Sequence, residues 1–77
     1  MRNPERAEFI SPEGVERFET ALKSIMVPNK VRVQVKADPI YIRGELRGYR
    51  ATFKMHHAGR VISAGLVSDD MVEQYMG

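Results

Sequence analysis

The sequence predicts an α+β domain in the order α-β-β-β-β-α: an N-terminal helix packed on one face of a four-stranded antiparallel meander, with a short helix closing the chain. Three observations predict it. Apolar residues return every three or four positions between residues 12 and 26, and the period drops to two from Val31 onward. Breaks containing Gly or Pro then divide the alternating region into strand-length runs.

Ser11-Pro12-Glu13 carries the signals of a helix start: a side chain that caps free N–H groups, a ring preset for the first helical position, and an acid beside the positive end of the dipole. Val15, Phe18, Leu22 and Ile25 form the apolar stripe, flanked by Ala21 and Met26, on a helix expected over 11–27. Glu13 with Arg17 and Glu19 with Lys23 are spaced to pair on its outer surface. Pro28-Asn29 ends it, because Pro28 has no N–H for the ladder. Residues 1–10 precede it as a charged arm with Phe9-Ile10 placed to staple the cap, and the arm lacks the apolar core of a secretory signal.

Strands are expected over 31–37, 40–46, 49–56 and 60–67. Val31, Val33, Val35 and Ala37 alternate with Arg32, Gln34 and Lys36; Asp38-Pro39 then breaks the run. Ile40, Ile42, Gly44 and Leu46 alternate with Tyr41, Arg43 and Glu45 up to a turn at Arg47-Gly48. Tyr49, Ala51, Phe53 and Met55 alternate with Arg50, Thr52, Lys54 and His56, and His57-Ala58-Gly59 makes the next turn. Ser68-Asp69-Asp70 caps a short helix over 69–76 that returns Met71, Val72, Tyr75 and Met76 to the core.

The 77 residues make a single domain. A chain this short buries only about 60% of its unfolded surface, so its core is small. With no Cys it has no disulfide, no thiol nucleophile and no thiolate metal ligand, and a cytoplasmic location is expected. Charged residues interrupt every long apolar window, so no membrane span is expected. The glycines are scattered rather than clustered into a phosphate loop, and no cofactor is expected.

Charge is unevenly distributed along the chain. Residues 30–60 hold eight Lys or Arg against two acids, a local charge of +6, whereas residues 1–29 sum to −1 and residues 61–77 to −3. Alternation collects much of the positive charge on the sheet face away from the helix. Arg32, Gln34, Lys36, Tyr41, Arg43, Glu45, Arg50, Thr52, Lys54 and His56 are expected there, with Glu45 as the internal counter-charge. Phosphates are the commonest partners for such a face.

Sequence-specific reading would need aromatic platforms or a groove-shaped helix. Arg47-Gly48-Tyr49 matches the opening of an RRM stacking motif, but Arg50, Ala51, Thr52 and Lys54 depart from its continuation, and Tyr49 and Phe53 belong to the core by alternation. The leading expectation is therefore a non-enzymatic protein that contacts nucleic-acid phosphates through Arg32, Lys36, Arg43, Arg50 and Lys54, with Tyr41 and Arg47 as secondary contacts. The alternative is a regulator or inhibitor docking on an acidic protein surface, by this face or an open strand edge, as monomer or homodimer. A metal-free ribonuclease using His56 with the nearby cations ranks third. His56 and His57 point to opposite faces of a strand and are not expected to share a metal, while Asp69 and Asp70 are read as dipole compensation.

Overall fold

Residues 7–76 are described by a computed structural model; residues 1–6 of the expected arm and Gly77 lie outside the described residues. The chain is α+β, with helix α1 (Pro12–Met26), strands β1 (Arg32–Ile42), β2 (Glu45–His57) and β3 (Arg60–Leu66), and helix α2 (Asp69–Met76). The strands form one antiparallel sheet in the order β1-β2-β3.

Helix α1 starts where the sequence indicates: the Ser11 hydroxyl accepts a hydrogen bond from the Gly14 N–H at 3.3 Å. Of the two expected surface pairs, Glu19 and Lys23 meet at 3.5 Å. Val15, Phe18 and Leu22 are buried, and the last two are fully enclosed. Each such side chain contributes about 1.5–3 kcal/mol through removal from water. Ile25, expected on the same stripe, is exposed, because the helix ends one residue later. Pro28 sits inside a 3₁₀ turn (Val27–Asn29), and Lys30, in the left-handed conformation with φ 63°, swings the chain into β1.

The expected four strands become three. The predicted strands 31–37 and 40–46 are not separate, since β1 runs through Asp38-Pro39 without a break. Pro39 is tolerated because β1 lies at the sheet edge. The Val35 N–H points out of the sheet to the Glu19 carboxylate at 3.3 Å, and alternation gives position 39 the same outward direction. The first hairpin instead turns at Arg43-Gly44, with φ of 53° and 80°, the paired positive values a two-residue turn requires. Ala58-Gly59 repeats this geometry at 51° and 78°.

Gly48, expected in a turn, lies inside β2. Tyr49 and Phe9 exchange backbone hydrogen bonds at 2.7 and 2.8 Å, and a Cβ on Gly48 would stand 2.7 Å from the Phe9 carbonyl oxygen. The N-terminal segment is thus held by the sheet: Phe9 bridges Tyr49, and the Ala7 N–H donates to the Val67 carbonyl at 2.8 Å. Ile10 does not staple the helix cap and is 95% exposed.

The core gathers Val15, Phe18 and Leu22 of α1 with Val31 and Val33, Ala51 and Met55 of β2, Ala7 and Val67. Helix α1 lies chiefly on β1, and α2 packs against α1. The Phe18 ring meets Phe9 at 6.3 Å and Tyr75 edge-on at 6.5 Å. Ser68 caps α2 through the Met71 N–H at 3.2 Å, and Met71, Val72 and Tyr75 reach the core while Met76 stays exposed. Tyr49 and Phe53 pack against the core, as alternation indicates.

Candidate nucleic-acid interface

Core residues Val33, Ala51 and Met55 fix the parity of β1 and β2, so even-numbered positions along the paired region turn to the opposite face. The register then places Arg32 across from His56, Gln34 from Lys54, Lys36 from Thr52, and Asp38 from Arg50. Lys36, Lys54 and Arg50 each face a neutral or acidic partner, and these cations neighbour one another along diagonals of about 7–8 Å. This spacing moderates repulsion while keeping the charge on one surface.

The carboxylate set among these cations is Asp38, half-buried; the expected Glu45 lies farther along, at the hairpin end. Glu45 stands opposite Ile42, 3.7 Å from Arg47. The expected site residues therefore divide into two groups. Arg32, Lys36, Arg50 and Lys54 share the sheet face, whereas Tyr41, Arg43 and Arg47 belong to the hairpin end.

Tyr41 is the clearest displacement. A break at Asp38-Pro39 would have reset the alternation, but the continuous strand leaves Tyr41 on the parity of Val35 and Pro39, away from the basic face, and 63% exposed. A register irregularity follows directly at Ile40/Tyr41. Arg43 occupies the turn itself, and Ile42 and Leu46, expected in the core, are exposed beside it. Ile42 falls on the parity of Lys36 and Asp38, away from α1, and Leu46, opposite Tyr41, lies near the turn at the hairpin end.

Strand β3 extends the face with different chemistry. Leu66 pairs with Thr52 and Ala64 with Lys54, so an apolar margin adjoins the basic columns. The sequence left the burial of this strand ambiguous; every residue of β3 is exposed. An open depression of about 750 Å³ runs beside α1, lined by Glu19 and Lys23 of the helix and by residues of all three strands from both faces of the sheet, among them Val33, Val35, Phe53 and Lys54.

Two polar atoms on the face are buried without a hydrogen-bond partner, Nε of Arg50 and Nε2 of His56. Arg50 sits in the central strand opposite Asp38 and is half-buried. Among the described residues, no three His, Cys, Asp or Glu side chains gather closely enough to hold a metal ion. No helix among them is long and apolar enough to cross a membrane. Compared with known proteins, the chain matches no family model, no curated protein and no solved structure.

Proposed function

We propose that this protein is a non-enzymatic binder of nucleic-acid phosphate backbones, with Arg32, Lys36, Arg50 and Lys54 as its contacts. The supporting observation is their shared position on the sheet face turned away from the core, with Asp38 as the carboxylate set among them. Four cations spread over two adjacent strands match a row of phosphates better than one small anion. Bases contribute little in this reading, since the exposed aromatic Tyr41 falls on the other face.

The test is a titration into random single- and double-stranded DNA and RNA at several salt concentrations. Four neutralised phosphates give a log–log slope of about −3 to −4. Lys36→Glu combined with Arg50→Glu abolishes binding while circular dichroism stays unchanged. Absence of binding at low salt overturns the reading.

The apolar margin of Ala64 and Leu66 beside the basic columns favours a second reading, docking on an acidic protein surface. In that case nucleic acid fails to bind, and the same charge reversal abolishes capture of the protein partner.

A further inference from the structure

The two edges of the sheet are built differently. On β1 the outward N–H of Val35 is taken by the Glu19 carboxylate, and Pro39 has no N–H to offer. On β3 nothing comparable exists among the described residues. The Val67 N–H donates to Ala51 inside the sheet, so alternation turns the N–H and C=O groups of Ala64 and Leu66 outward. This edge has one charged residue, Arg60, and no proline, and its Val61, Ile62 and Leu66 side chains are exposed. Its register irregularity lies at the Val61 end, leaving Ser63–Leu66 in unbroken pairing with β2.

We propose that β3 pairs antiparallel with β3 of a second copy of this chain, about a two-fold axis at Ala64, making a six-stranded sheet. In this register Ala64 meets Ala64 and Ser63 meets Gly65, within the stretch that pairs regularly with β2. Ala64 lies on the open face with Lys54, and Ser63 and Gly65 lie on the helix side with Met55 and Phe53, so small residues meet along the axis. The charge pattern selects the second copy and its direction. Arg60, at the start of β3, comes toward Asp69 and Asp70, just past the end of the other chain's β3 at the start of its α2, and symmetry repeats the contact. Parallel pairing would instead set Arg60 against Arg60 and the acids against one another. The inference rests on β3 and its flanks and is independent of nucleic-acid binding.

Sedimentation of the full chain from micromolar to millimolar concentration tests it, and a concentration-dependent dimer is the expected result. Ala64→Pro removes two outward N–H donors per dimer without touching the β2–β3 ladder, and weakens the dimer about thirtyfold. Arg60→Asp leaves the protomer folded by circular dichroism and weakens the dimer about fivefold; Arg60→Asp with Asp69→Arg restores it. Monomer throughout, or a dimer indifferent to Ala64→Pro, overturns the proposal. Failure of the charge swap to restore association overturns the antiparallel arrangement.

Discussion

The carboxylate of Glu19, on α1, accepts a hydrogen bond from the backbone N–H of Val35 at 3.3 Å and so closes part of the outer edge of β1. The same carboxylate meets Lys23 at 3.5 Å. One side chain thereby ties helix to strand and occupies a donor that would otherwise be open to another chain. Sixteen residues separate the partners, so the contact also sets where α1 lies along β1.

Glu19→Ala is expected to destabilise the fold by about 1 kcal/mol, the ordinary worth of a partly exposed charged hydrogen bond. Lys23→Ala, which removes only the surface ion pair, costs about 0–0.5 kcal/mol. Urea unfolding of both variants checks the order. Equal losses would mean that the bond to Val35 contributes nothing.

Leu22→Ala should cost about 2–5 kcal/mol, since Leu22 is fully enclosed and the core has little slack to collapse into the space. Total stability for a chain of this length is about 4–12 kcal/mol, so this variant sits near unfolding at 37 °C. Ile25→Ala removes a side chain of similar size from the exposed end of the helix and costs under about 1 kcal/mol. Thermal denaturation separates the two; similar losses would contradict the burial of Leu22.

These positions show what alternation and capping could reveal and where they stopped. The caps at Ser11 and Ser68 and the parity of Val33, Ala51 and Met55 depend on local chemistry, and they were legible. Pro39 misled because its tolerance depends on lying at a sheet edge, a fact that only the tertiary arrangement supplies. That one misplaced turn carried Tyr41 and Arg43 onto the basic face, where neither belongs. Lys36, Arg50 and Lys54 kept their face because the alternation around them was unbroken. The signal for the true turn was present: Arg43-Gly44 offers the glycine that a second positive φ demands.

Gly48→Ala is expected to cost about 1–3 kcal/mol, because its Cβ would lie 2.7 Å from a backbone oxygen that can move only by breaking the Phe9–Tyr49 bridge. Faster hydrogen exchange at the Tyr49 amide should accompany the loss, since that N–H donates to Phe9. Gly44→Ala meets open space and costs about 1–2 kcal/mol through its positive φ alone, with Tyr49 exchange unchanged. A neutral Gly48→Ala would rule out the close approach of the N-terminal segment.

The proposed phosphate contacts can be resolved one at a time by salt dependence. Lys36→Ala and Lys54→Ala each remove one cation from the sheet face, and each should lower the magnitude of the log–log salt slope by about 1, uniformly across nucleic-acid sequences. Arg47→Ala should leave the slope unchanged, because Arg47 lies at the hairpin end and is paired with Glu45 at 3.7 Å. Both lysines and Arg47 are exposed, so none of the substitutions should alter the fold. If Arg47→Ala lowers the slope while Lys36→Ala does not, the contact surface is the hairpin end, and the open face of β1 and β2 loses its assigned role.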